Sequence, residues 1–255
     1  MSKIVSVHSF RGGTGKSNTT ANLAATMAAT GRRVGVVDTD IQSPGIHTLF
    51  GLDADSMAST LNDYLWGHAR IEDVACDVTS QVAADGGSPL PGAIYLVPSS
   101  LRAGDITRIL REGYDVSRLN DGFREMITWL ALDILLIDTH PGLNEETLLS
   151  ITISDTLVII LRPDQQDYQG TAVAVEVARK LEVPRLVLVV NKVLPELDVD
   201  DVRREVEATY RAPVAALLPL SEDLVRLGSR GIFSRRQPGH PWSRGVQALG
   251  EQILA

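Results

Sequence analysis

Cysteine is almost missing from this chain: Cys76 is the only one in 255 residues. One thiol excludes a disulfide within the chain and any Cys-based metal cage inside one subunit, which fits a reducing compartment. Long apolar runs are missing too. Leu157–Leu161 and Leu186–Val190 are only five residues each, whereas a membrane-spanning helix needs roughly 20. The start shows no apolar signal core, because Lys3-Ile4-Val5-Ser6-Val7 already reads as a strand. These absences predict a soluble, cytoplasmic protein. The net charge of −8 gives the surface as a whole no attraction for nucleic acid or anionic membrane. No internal repeat or low-complexity tract breaks the chain.

What is present alternates. Apolar, often β-branched runs recur at Ile4–Val7, Val34–Val37, Ile94–Val97, Ile134–Ile137, Leu157–Leu161, Leu186–Val190 and Val214–Leu218. Consecutive apolar positions suit strands buried on both faces. Helix-length segments lie between them. Asn18–Thr30 stops at Gly31, a good C-terminal cap. Gln169–Leu181 places Val173, Val177 and Leu181 on one face, and Val199–Tyr210 is charged and amphipathic. The expectation is one α/β domain over residues 1–255, with a mostly parallel central sheet of about seven strands and helices on both faces. Residues 53–92 break the rhythm with a short helix at Leu61–Trp66 and a Gly/Pro loop at Asp85–Gly92; they read as an excursion from the one domain. In such sheets ligands bind beyond the carboxyl ends of the strands.

The first strand runs into Arg11-Gly12-Gly13-Thr14-Gly15-Lys16-Ser17-Asn18. Glycines let successive N–H groups turn toward phosphate oxygens, and the following helix adds its positive end. Lys16 is placed to reach the β- and γ-phosphates, and the Ser17 hydroxyl to ligate Mg²⁺. Strand, glycines, Gly-Lys-Ser and helix is the context a P-loop requires. Asp38 and Asp40 follow the second strand, where adjacent carboxylates face bound phosphates across the metal; Asp38 also suits a cap for the turn. Asp138 ends the Ile134–Ile137 run, the position of a magnesium-shell carboxylate. Asn191-Lys192 ends another strand, but a guanine-binding loop would need Asp where Leu194 stands. Leaving guanine hydrogens unpaired costs about 1–3 kcal/mol, so adenine is preferred.

Phe10 occupies the first glycine position of the common P-loop pattern. The stretch instead resembles the deviant Walker A of MinD/ParA ATPases. Asp38-Thr39-Asp40-Ile41-Gln42, Asp138-Thr139-His140-Pro141-Gly142, Asn191-Lys192 and Leu218-Pro219-Leu220-Ser221 follow in the family's order. The resemblance implies a P-loop NTPase fold and a Mg²⁺-dependent ATPase, slow without a partner. It further implies an ATP-dependent homodimer that positions or partitions a cargo (chromosome, plasmid or protein assembly) for an unidentified protein partner. By resemblance the catalytic residues are Lys16, Asp40 and Arg11. Asp40 would hold the attacking water, and Arg11, standing for the family's signature lysine, would reach the partner's nucleotide. Nucleotide would be held by Gly12, Gly13, Thr14, Gly15, Lys16, Ser17, Asn18, Asn191 and Pro219, and metal by Ser17, Asp40 and Asp138. His140 is expected to be a loop residue within a switch loop, since P-loop catalysis needs no strong base.

Residues 224–250 hold Arg226, Arg230, Arg235, Arg236 and Arg244 and no acid. That local charge is either a non-specific DNA patch or a solvated face. After Arg244 there is no Lys or Arg, so no direct membrane binding is expected; Val246, Leu249 and Ile253 should pack on the sheet. The alternative activity is a P-loop kinase, but Tyr64, Tyr95, Tyr114, Tyr168 and Tyr210 are scattered rather than gathered in the tail. An iron–sulfur carrier would want paired cysteines, which Cys76 alone does not supply.

Overall fold

The computed structural model describes residues 2–255. In chain order the elements are β1 (Lys3–His8), α1 (Lys16–Ala29), β2 (Arg33–Asp38), a 3₁₀ turn (Ile46–Phe50), α2 (Leu61–Leu65), α3 (Ile71–Val74), β3 (Cys76–Asp77), α4 (Thr79–Gly86), β4 (Ala93–Val97), α5 (Ala103–Glu112), α6 (Ser117–Trp129), β5 (Ile134–Asp138), α7 (Glu145–Thr152), β6 (Thr156–Leu161), α8 (Gln165–Lys180), β7 (Arg185–Val193), α9 (Val199–Tyr210), β8 (Val214–Pro219), α10 (Glu222–Leu227), α11 (Phe233–Arg236) and α12 (Pro241–Leu254). Every expected strand is present. They form one sheet of eight strands, ordered β3-β4-β2-β5-β1-β6-β7-β8. The strand beyond the expected seven is β3, two residues long, paired antiparallel to β4 inside the 53–92 excursion. A two-residue strand carries no period, so its pairing has no sequence signal. All the other pairings are parallel.

Strand alternation sorts side chains between two layers. Val5, Val7, Ile134, Leu136, Val158, Ile160, Val187 and Val189 face the core under α1, α4, α11 and α12. Their neighbours Leu135 and Ile137 pack under α2, α3 and α6. Leu157, Ile159, Leu188 and Val190 pack under α8 and α9. The second layer is divided at β1 by a polar seam, where Ser6 Oγ donates to the Ser150 carbonyl at 3.0 Å and receives Ser154 Oγ at 2.8 Å. Helix α12 lies along α1 and β8 with Trp242, Val246, Leu249 and Ile253 fully buried. Each such side chain contributes about 1.5–3 kcal/mol of burial.

Two helices start earlier than expected. The Asp164 side chain accepts from the amides of Gln166 and Asp167, so α8 begins a turn before the expected Gln169. Helix α1 begins at Lys16, immediately after Gly15 in the left-handed region, with no side-chain cap. Its first amides are therefore not satisfied by the chain's own side chains. Because β2 to β5 lie on one side of β1 and β6 to β8 on the other, the strand order reverses at the loop leading into this helix. That is the topological position for a ligand.

Candidate nucleotide site

The carboxyl ends of β1, β2 and β5 stop level with one another: Asp138 is paired in register with both Val7 and Asp38. Lys16 and Asp138 are thereby brought together, with Nζ 2.8 Å from Oδ1, and Thr20 Oγ1 donates to the same oxygen at 3.2 Å. Both partners of this ion pair are buried, and Asp138 Oδ2 is buried without a partner. Beside them lies a cleft of about 200 Å³ lined by Ser9, Asp40, Pro141 and the turn from Gly12 to Asn18. No heavy atom stands within 4 Å of a side chain built on Gly12 or Gly13, so the backbone there is open to a ligand.

A second cleft of about 310 Å³ shares Gly13, Gly15 and Asn18 with the first and extends to Asn191, Lys192, Pro219, Leu220, Ser221 and Val225. Asn191 and Pro219 thus stand on its wall. The Asn191 amide also braces the glycine turn. Its Nδ2 donates to the Thr14 carbonyl at 2.7 Å, and its Oδ1 receives the Lys192 amide at 2.9 Å and Trp242 Nε1 at 3.3 Å. Lys192 Nζ reaches across to the Gly13 carbonyl at 2.8 Å. Trp242 is a supporting residue that sequence reasoning missed, since an indole on the last helix shows only apolar periodicity; Lys192 was read as part of a motif but not as a brace for the glycine turn.

Asp38 and Asp40 do different things. Asp38 is buried, and its carboxylate accepts from the Asp40 amide at 3.0 Å and the Gly45 amide at 3.3 Å, capping the turn after β2. Burial, then the neighbouring Asp138 charge, holds its carboxyl well above the usual carboxylate range, with Lys16 pulling the other way. Asp40 reaches the cleft. Its Oδ1 accepts from the Ser43 amide at 3.2 Å and lies 2.6 Å from His140 Nδ1. His140, expected to be a plain loop residue, faces the switch aspartate. One strand behind, His8 is fully buried, its Nδ1 2.9 Å from Thr139 Oγ1 and its Nε2 unpartnered. Burial, then the nearby Lys16 charge, pushes its pKa down to about 3.

Other expected residues fall outside the cleft lining. Arg11 is exposed on the rim with its guanidinium hydrogen-bonded to the Gln166 side chain at the start of α8. Phe10, in place of a glycine, packs against Gly170 of α8. The arginines near the C-terminus are largely engaged: Arg226 pairs with Glu222 and Asp223, Arg236 with Asp85, Arg235 donates to Ser88, and Arg230 donates to the Leu227 carbonyl.

The AAA domain family model matches residues 2–184. The chain belongs to the MinD/ParA family of P-loop ATPases. Membership makes it a P-loop nucleoside triphosphatase by class. An uncharacterized ATP-binding protein of Methanocaldococcus jannaschii is 25% identical over 255 residues, covering 100% of this chain and 88% of that one. An iron-sulfur cluster carrier protein of Methanococcus maripaludis is 33% identical over 78% of this chain, which spans only 65% of that relative. The fold matches the septum site-determining protein MinD of Pyrococcus horikoshii, solved with Mg-ADP, at a TM-score of 0.82 and 21% identity, covering 99% of this chain and 96% of that one. Within this MinD/ParA chain, the P-loop residues and Asp40 line one cleft and Asp138 is buried behind it against Lys16, while Arg11 does not line it.

Proposed function

We propose that this MinD/ParA-type protein binds ATP with Mg²⁺ in the cleft between β1, β2 and β5 and works as a nucleotide-driven dimer switch. The observation that carries the reading is the buried Lys16–Asp138 pair beside an uncapped helix start, with one Asp138 oxygen left unpartnered. A triphosphate suits the open amides of Gly12 to Ser17, and a divalent cation suits the free Asp138 oxygen, the Ser17 hydroxyl and the Asp40 carboxylate. Such a cation supplies charge neutralisation at the β- and γ-phosphates. The chain's own residues do the rest. Lys16 balances phosphate charge, Asp138 holds its position through Lys16 and Thr20, and Asp40 orients water at the mouth. Gly15 and Asn18 line both clefts, and the Pro219 and Leu220 side of the second gives an apolar wall for adenine.

In this reading, nucleotide binding by two copies closes a face-to-face pair, Arg11 crosses to the partner's phosphates, and hydrolysis reopens it. Lys16→Ala is expected to lose ATP binding, measured by titration with a fluorescent analogue. Unchanged affinity in Lys16→Ala would sink the assignment.

The relatives named as iron-sulfur cluster carriers raise a different cargo for the same switch. The residues here do not fit that ligand. Clusters are held by several thiolates, whereas Cys76 is the one cysteine. It is half-buried in β3, and burial pushes its thiol up, away from the thiolate form. Two copies would offer two thiols. The purified protein is expected to gain no visible cluster absorbance after anaerobic incubation with iron and sulfide; stable absorbance lost in Cys76→Ser would reverse this.

A further inference from the structure

The Asp40 carboxylate is the one acidic group that both lines the phosphate cleft and stands on a loop. Two donors converge on a single oxygen of it, the Ser43 amide at 3.2 Å and the His140 ring at 2.6 Å. Among the described residues no hydrogen bond reaches the other oxygen. A carboxylate free to rotate presents either oxygen in many directions; one pinned through Oδ1 presents Oδ2 alone. The pair is mostly shielded, with side-chain exposures of 22% and 13%, and a hydrogen bond of this length to a carboxylate is of the strong, charge-assisted kind.

His140 is itself held. Its carbonyl accepts from Thr147 Oγ1 at 3.2 Å, and Thr147 lies in the first turn of α7, whose start is capped by Asn144. Pro141 follows it and restricts its backbone to extended conformations. One residue further on, the Gly142 amide donates to the Ser9 carbonyl at 3.2 Å, tying the loop to the entrance of the glycine turn. The ring therefore transmits a fixed position from α7 and β1 to a side chain on the loop after β2.

We infer that His140 is a positioning residue for the proposed hydrolysis: by donating Nδ1–H to Asp40 Oδ1 it locks the loop after β2 to the loop after β5 and aims Asp40 Oδ2 at the phosphate cleft. The inference rests on the ATPase reading above. His140 touches no reacting atom; it acts through Asp40. Because this bond joins the two loops, displacement of the α7 start would misplace Asp40.

The test compares His140→Ala, His140→Phe and His140→Asn in the full chain. Asn carries a donor at the same number of bonds from the backbone as Nδ1, and Phe keeps a ring without one. The expected result is a kcat lowered about 10- to 100-fold in the Ala and Phe variants, with affinity for a fluorescent ATP analogue and KM within about threefold of the parent, and substantial recovery in His140→Asn. Histidine ¹⁵N spectra should show an Nδ1-bound proton that is lost in Asp40→Ala. Full activity in His140→Ala, equal loss in His140→Asn and His140→Ala, or loss of ATP affinity together with kcat would each overturn the inference. A His140 signal unchanged by Asp40→Ala overturns the pairing whatever the turnover. Wild type that turns over no faster than Lys16→Ala overturns the ATPase reading itself.

Discussion

At Gly15 the backbone turns with φ +93, and a Cβ built there would overlap Asn191 Nδ2. Two costs coincide at one position: the left-handed conformation disfavours any side chain by about 1 kcal/mol, and Asn191 cannot yield without releasing the Thr14 carbonyl. Gly15→Ala should therefore lower the denaturant midpoint and abolish binding of a fluorescent ATP analogue. Retained binding would show that the turn does not need this geometry. His8 makes a prediction of a different kind. Its pKa falls from 6.5 to about 3 on folding, so below pH 6.5 the unfolded chain binds the proton that the folded chain refuses. Stability is then full above 6.5 and declines as pH falls toward 3, at up to about 1.4 kcal/mol per unit. His8→Gln, read by denaturant melts at a series of pH values, should flatten that slope. The P-loop residues were legible in the sequence because their order along the chain is itself the site. The contacts of His8, His140 and Lys192 were not, since each meets a residue a hundred or more positions away along the chain.

Among the elements, α12 shows how a helix far along the chain serves a loop near its start. Its apolar positions Val246, Leu249 and Ile253 were readable as a packing face, and they are buried. Trp242 adds a polar function to the same face, because its indole N–H reaches Asn191 Oδ1 in the interior. Trp242→Phe keeps the edge-to-face contact with Phe233 but removes that donor. The expected outcome is ATP affinity reduced about 2- to 10-fold with a small change in melting temperature, measured by nucleotide titration and thermal denaturation. A large melting shift with unchanged affinity would mean that Trp242 only fills space. The strands of the sheet were legible because parallel strands buried on both faces leave continuous apolar runs. Strand β3 was not, having two residues and an antiparallel partner. The early start of α8 was missed because Asp164 precedes the apolar period and acts through its side chain.

For the whole molecule the question is how two copies meet. Asp40 stands at the cleft mouth and Arg11 on an exposed rim, the placement that a closing interface would need. With ATP and Mg²⁺, Asp40→Ala is expected to accumulate a dimer, because nucleotide binds but turnover stops. Arg11→Ala should shift the equilibrium back toward monomer. Light scattering after size separation reads both; a monomer under every condition removes the dimer switch and leaves nucleotide binding untouched. The Gln166 contact means that Arg11 must first leave its own chain, so Gln166→Ala should favour the dimer if the arginine crosses. The basic stretch near the C-terminus, read as either a DNA patch or a solvated face, is partly engaged within the chain. Arg226 and Arg236 meet acids, Arg230 and Arg235 reach backbone and hydroxyl acceptors, and Arg244 makes no side-chain hydrogen bond or ion pair among the described residues.

The amino-acid order alone determined the layered α/β architecture and the phosphate-binding loop. Both are written in local chemistry, through apolar period, glycine freedom and a lysine next to a hydroxyl. Tertiary structure decided the rest of the site: that Lys16 pairs with Asp138, that Asn191 braces Thr14, and that His140 holds Asp40. Those partners are separated by a hundred residues or more, and only the parallel register of β1, β2, β5 and β7 carries their side chains to the same edge of the sheet.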